Sequence, residues 1–197
     1  MIGKRGVTMN QDVIKNLYAW SDHLKQQQAL HFKDLPAIEL YMDQVVSVVG
    51  SYLSFYFDDT TKFITSSIIN NYVKLGVIPA PVKKKYSREH IAKLIIICVL
   101  KQVLPISSIK TLIDFYLEKM SIEQFFDLFC KNQQEILYQS ITETEKIQNE
   151  ASGSQKPTTA VLDLAIKAST CKLLTEKILT VCDTEEGPVH VKKAKNK

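Results

Sequence analysis

A mainly α-helical fold with one small β element is what this 197-residue sequence predicts. Three observations carry that reading. Apolar residues recur at i, i+3, i+4 and i+7 through most of the chain. Ser, Thr, Pro and Gly fall where such helices would begin and end. One short stretch alone, Val82 to Tyr86, reads as an extended ribbon. With 45% hydrophobic and 23% charged residues, and only 6 Gly and 6 Pro, the chain is neither collagenous nor Pro/Gly-rich and disordered.

The first helix is expected from Asn10 to about Gln28, on Val13, Ile14, Leu17, Tyr18, Trp20 and Leu24. A second is expected from Pro36, a residue tolerated at the first helical position. Its apolar stripe is Ile38, Tyr41, Met42, Val45, Val46, Val49, Tyr52 and Leu53. Phe55 to Lys62, with Asp58-Asp59, reads as a loop. Thr65 or Ser66 can then cap a helix that closes at Gly76, whose missing Cβ suits a left-handed C-terminal cap. Pro79 and Pro81 forbid its continuation.

Ser87 is placed to cap a helix running to Gln102. That helix is apolar almost all round, so it should be the buried centre of the domain. Its Ile-Ile-Ile-Cys-Val stretch has strand propensity, but the length of the pattern from Ile91 to Leu104 favours helix. Pro105 breaks it, Ser107 can cap the next, and Ile109, Leu112, Ile113, Tyr116 and Leu117 form another stripe. Ser121 and Gln124 have capping-box form ahead of Phe125, Phe126, Leu128, Phe129, Ile136, Leu137 and Ile141. Helical spacing makes the Phe125-Phe126-Phe129 cluster a core or subunit interface rather than a ligand pocket. Ala151 to Pro157 reads as a linker. A final helix from Thr158 to about Cys182 carries Val161, Leu164, Ala168, Cys171, Ile178 and Cys182 in a heptad-like row. Residues 183–197 read as a disordered basic tail. Four regions follow: an N-terminal helix over 1–34, a central domain over 35–120, a C-terminal helical region over 121–182 suited to dimerisation, and the tail.

Charge is unevenly placed. Residues 62–110 hold nine basic side chains and one acidic, Glu89, a net +8, whereas residues 1–61 are net −2 and residues 111–191 net −6. A polyanion is the natural partner for such a block. Within it, Ile68, Ile69, Tyr72 and Val73 fall on one side of the helix from Ser66 to Leu75. Ser67, Asn70, Asn71 and Lys74 line the other. Asn can pair bidentately with adenine in a DNA major groove, and Lys can reach guanine or a phosphate. Lys83-Lys84-Lys85 follow on the ribbon, where they could straddle the neighbouring backbone. A helix presenting amides followed by a basic wing is the arrangement of a winged helix-turn-helix. An ordinary amphipathic helix beside a solvated lysine loop is the plain alternative.

The stretch Ile64-Thr-Ser-Ser-Ile-Ile-Asn-Asn-Tyr-Val-Lys-Leu-Gly-Val-Ile-Pro79 resembles the recognition helix and exit turn of the MerR-type family, with Tyr72, Gly76, Val77, Ile78 and Pro79 on matching positions. Tyr86-Ser87-Arg88-Glu89-His90-Ile91 resembles that family's wing exit, and Pro105-Ile-Ser-Ser-Ile-Lys-Thr-Leu-Ile113 its following helix. Residues 35–120 as a whole resemble an uncharacterised family of bacterial proteins, a domain of unknown function with a MerR-like head. Asn70 stands where the MerR family has arginine, and its usual first helix with a tight Gly-Val-Ser turn is absent. The resemblance implies a mainly α, MerR-like winged helix-turn-helix with a small β wing, and a bacterial transcription regulator of double-stranded DNA. Ser67, Asn70, Asn71 and Lys74 would read bases. Lys62, Lys83, Lys84, Lys85, Arg88 and Lys93 would hold phosphates. The C-terminal helices would join two subunits. A protein-interaction module of the same shape without DNA binding is the rival.

Other chemistries find little support. His23, His31, His90 and His190 are scattered without metal-site spacing. There is no Walker loop and no dinucleotide-binding glycine motif, and no nucleophile motif, so neither an enzyme nor a bound cofactor or metal is expected. Cys98, Cys130, Cys171 and Cys182 form no C-x-x-C pair, which fits free thiols in a reducing cytoplasm. The longest apolar run, Leu94 to Leu100, is far short of the roughly 20 residues a membrane span needs. The N-terminus reads as lacking a signal peptide.

Overall fold

A computed structural model of the chain describes residues 19, 21–23, 25, 26, 28–54, 63–150 and 156–185. Most of the expected first helix, the Phe55–Lys62 loop, most of the linker and residues 186–197 lie outside that set. So does Lys62, one of the expected phosphate contacts. The chain divides into two compact units, Met1–Ala160 and Val161–Lys197.

The first unit is built around one helix. A single 3-10 turn, Phe32–Asp34, precedes α1 (Met42–Leu53), α2 (Ser66–Lys74), α3 (Arg88–Leu100), α4 (Ile106–Leu117) and α5 (Ile122–Glu150). In α3, Ile91, Ala92, Leu94, Ile95, Ile96, Ile97 and Cys98 are all buried. Burial of each large aliphatic side chain is worth about 1.5–3 kcal/mol, so this helix dominates the core. It packs against α1, α4 and α5 at once, and a helix apolar all round demands neighbours on several sides. The strand propensity of Ile95-Ile96-Ile97 is overridden by tertiary packing, since all three are buried in a helix enclosed by three others. From α1 come Val45, Val49 and Leu53, from α4 Ile109 and Ile113, and from α5 Phe125, Phe126 and Cys130. Phe126 meets Phe32 edge-on with centroids 6.3 Å apart, and Tyr116 stacks on Phe125 at 4.6 Å. The Phe32 amide also donates to Asp127 Oδ1 at 2.6 Å, which ties the 3-10 turn to α5.

Several expected boundaries shift. Helix α1 begins at Met42 rather than Pro36. Leu40 is instead held in antiparallel pairing with Tyr86 by two hydrogen bonds of 2.9 and 2.8 Å. Ile38 and Tyr41, assigned to the apolar stripe, are therefore exposed. Helix α3 stops at Leu100, ahead of a turn, not at Gln102. Pro105 itself, not Ser107, is the N-cap of α4, because its fixed φ suits the entry and it has no N–H to leave unpaired. The Ser121–Gln124 box forms as expected, with both reciprocal bonds, at 3.0 and 3.2 Å. Val82 to Tyr86 forms no strand. It is a tight turn closed by the isolated bridge Val82–Lys85 and anchored by the Leu40–Tyr86 pair.

The second unit holds most of α6 (Lys156–Glu185), which starts inside the expected linker and continues through Asp183–Glu185, three residues of the expected disordered tail. Val161, Leu162, Leu164, Ile166, Leu173, Leu174, Ile178 and Val181 are all exposed on it. Among the described residues, no helix is long and apolar enough to cross a membrane.

The end of α2 gives a sharp test. Gly76 has φ +64, the Val77 amide donates to Tyr72 O and the Gly76 amide to Val73 O, both at 3.0 Å. This is a Schellman closure. A Cβ at Gly76 would meet nothing within 4 Å, so the cost of adding one is purely conformational. Gly76→Ala should destabilise by about 1–2 kcal/mol in urea unfolding, and Gly76→Asn by clearly less, with the m-value unchanged in both.

Candidate nucleic-acid interface

Helix α2 exists because Thr65 caps it, its Oγ1 accepting the Ile68 amide at 3.2 Å, and because Ile69 and Tyr72 are buried beneath it. Anchoring that face leaves the other in water. Ser67, Asn70, Asn71 and Lys74 are all exposed, as the i, i+3, i+4, i+7 spacing predicts.

The chain then turns at Gly76, runs through Pro79-Ala80-Pro81 and folds back at Lys83-Lys84. Both lysines are left-handed, with φ 50 and φ 65, and the Lys85 amide closes the turn on Val82 O at 2.9 Å. Two consecutive positive φ values mark a type I′ turn, which ordinarily selects Asn-Gly. Two lysines there store strain, since each non-glycine residue in this region costs about 1–2 kcal/mol. Nothing in the sequence announces this conformation, because its usual signal residues are absent. Both lysine side chains are exposed.

The remaining basic candidates are more engaged. Lys85 is half-buried with Nζ 5.6 Å from the centre of the Tyr41 ring. Arg88 is half-buried, its Cζ 5.5 Å from the Phe32 ring centre and its Nε donating to Pro36 O at 3.4 Å. Those contacts hold the segment before α1 against the start of α3, so Arg88 has a packing role as well as a charge. Lys93 is half-buried on α3.

One residue that sequence spacing did not single out organises the base of this turn. His90 is buried at the first turn of α3, and its Nδ1 accepts the Ser87 amide at 3.0 Å with Ser87 Oγ at 2.8 Å. An accepting Nδ1 places the proton on Nε2, which is buried and finds no well-aligned hydrogen-bond partner among the described residues. Burial lowers the pKa of His90 below 6.5. Nearby Pro79 and Ala80 backbone and Glu89 oppose this, and Lys93 reinforces it. The Tyr86 ring lies edge-on, 5.4 Å between centroids.

Beside α2, a cavity of about 380 Å³ opens towards α3, lined in part by Ser67, Asn71, Tyr72, Cys98 and Lys101. Burial pushes the Tyr72 phenol and the Cys98 thiol both up to about 12, so each stays neutral. Among the described residues no cluster of three or more His, Cys, Asp or Glu could hold a metal ion.

Residues 30–141 match the domain of unknown function DUF1836, and since the match spans more than half of the chain, the chain belongs to that family. No curated protein and no solved structure matches it. The matched stretch runs from just before the 3-10 turn into α5, and so contains the whole of the exposed polar face of α2 and the lysine turn.

Two outcomes follow from this geometry. The unfolded state takes up a proton on His90 at a higher pH than the folded state, so stability falls as pH drops below 6.5. In thermal unfolding across that range, His90→Gln, which keeps an acceptor for the Ser87 amide, should lose less stability than the parent protein. Separately, Lys83→Asn with Lys84→Gly should raise stability by about 1–2 kcal/mol in urea unfolding, by relieving the left-handed strain.

Proposed function

We propose that this DUF1836 protein is a DNA-binding transcription regulator whose α2 enters the major groove of duplex DNA as the recognition helix of a MerR-like winged helix-turn-helix. The observation that carries the reading is the solvent face of α2. Ser67, Asn70, Asn71 and Lys74 are exposed together on one side of a helix whose other side is anchored in the core. They lie in a segment of net +8 that no acid but Glu89 interrupts. Asn70 and Asn71 would read adenine edges, and Lys74 a guanine or a phosphate. Lys83 and Lys84 at the turn would serve as the wing. With Lys62, Lys85, Arg88 and Lys93 they would bind phosphates and fix register. The C-terminal helices, with the exposed aliphatic residues of α6, would join two subunits so that two heads meet adjacent half-sites. Buried free thiols at Cys98 and Cys130 fit a cytoplasmic setting.

A second reading is a protein-interaction module of the same shape. Exposed Ile38, Tyr41 and Val82 beside the lysine turn favour it. Charge reversal separates the two. Lys83→Glu, Lys84→Glu and Lys85→Glu together should abolish duplex retention in a gel-shift assay while leaving the fold intact by circular dichroism. For the parent protein, with about five phosphates neutralised per head, log K should fall with log salt at a slope of about −4.5. Unchanged DNA behaviour in the triple variant, or a salt-insensitive complex, would favour the interaction module.

A further inference from the structure

The eight large aliphatic side chains of α6 that stand in water are each between 39% and 65% exposed. Together they present apolar surface on the order of 800 Å², about what one partner brings to a stable protein interface. A monomer ordinarily leaves a patch of only about 300–600 Å² uncovered. These side chains are spread round the helix rather than gathered on one stripe, and a helix that is apolar on several sides belongs inside a bundle.

The charges at the two ends of α6 select the occupant and its direction. The first turn holds Lys156 and no acid, and the last turn holds Asp183 and Glu185 and no base. Both ends carry the wrong sign for the helix dipole, which favours acids at the N-terminus and bases at the C-terminus. A second copy laid parallel would set lysine beside lysine and acid beside acid. A second copy laid antiparallel sets each end against its opposite. The heptad-like row supplies a register for that pairing. With Val161 level with the partner's Ile178, Leu164 meets the partner's Thr175, Ala168 the partner's Cys171, and Lys156 the partner's Asp183.

We propose that four copies of this chain join through α6 in an antiparallel four-helix bundle. One neighbour does not cover a helix that is apolar on several sides. Neighbours of opposite direction close into a ring only in even numbers, of which four is the smallest. The inference deepens the subunit-joining role given above to the C-terminal helices and rests on that part of the reading alone.

The test uses the full chain without DNA. Sedimentation equilibrium at micromolar concentration should give four times the 22.4 kDa of one chain. Ile178→Asp, a change at an exposed side chain outside the first unit, should reduce the mass to that of one chain and leave thermal unfolding of the first unit unchanged. Direction is read from a spin label at Thr180→Cys in a chain that also carries Cys171→Ser and Cys182→Ser, since Cys98 and Cys130 are buried and do not take the label. In the register above, labels on antiparallel neighbours stand about 30 Å apart along the axis, a separation that parallel helices in register do not produce. A mass of one or three chains, full assembly of Ile178→Asp, or distances without the 30 Å component would overturn the proposal. A mass of two chains would also overturn it while leaving the pairing of two DNA-binding heads intact. Failure to bind duplex leaves the expected mass unchanged, so the two readings fail separately.

Discussion

The arrangement of the first unit depends on the burial of α3. A helix with aliphatic side chains on every side cannot be satisfied by one neighbour, so α1, α4 and α5 are all drawn onto it. That requirement fixes where Ser87 and His90 stand at one end of α3 and Cys98 and Lys101 at the other. The polar features of the protein are then attached to its two ends. The lysine turn is tied at the first through the Leu40–Tyr86 pair, and the cavity beside α2 lies at the second.

Most of the helical framework was legible because it rests on local chemistry. Thr65 at a cap, Gly76 in the left-handed region and Ser121 with Gln124 in a reciprocal box each behave as their residue types dictate, whatever surrounds them. The failures share a different cause. Pro36 to Tyr41 carries apolar residues at helical spacing, yet Leu40 is claimed by a partner 46 positions later, Tyr86, and the segment stays out of the helix. Long-range pairing of that kind leaves no trace in the local pattern. Pro105 as a cap in place of Ser107 is a smaller instance, in which backbone stereochemistry outweighed a hydroxyl.

The candidate interface divides along the same line. The polar face of α2 follows from periodicity alone, because burying Ile69 and Tyr72 commits Ser67, Asn70, Asn71 and Lys74 to solvent. The conformation of Lys83 and Lys84 could not be read, since left-handed geometry at two lysines is imposed by closure of the chain around them rather than by any preference of lysine. Nor could the role of His90, whose ring replaces the carboxamide or carboxylate usual at the third helical position.

Helix α6 carries two aliphatic rows that lie almost opposite one another: Leu162, Ile166 and Leu173 on one flank, and Leu164, Cys171 and Ile178 on the other. A single straight companion laid along either flank leaves the second in water. Shielding both takes company on two sides, which excludes a plain two-stranded rope and requires a bundle of at least three members wherever this helix is fully covered.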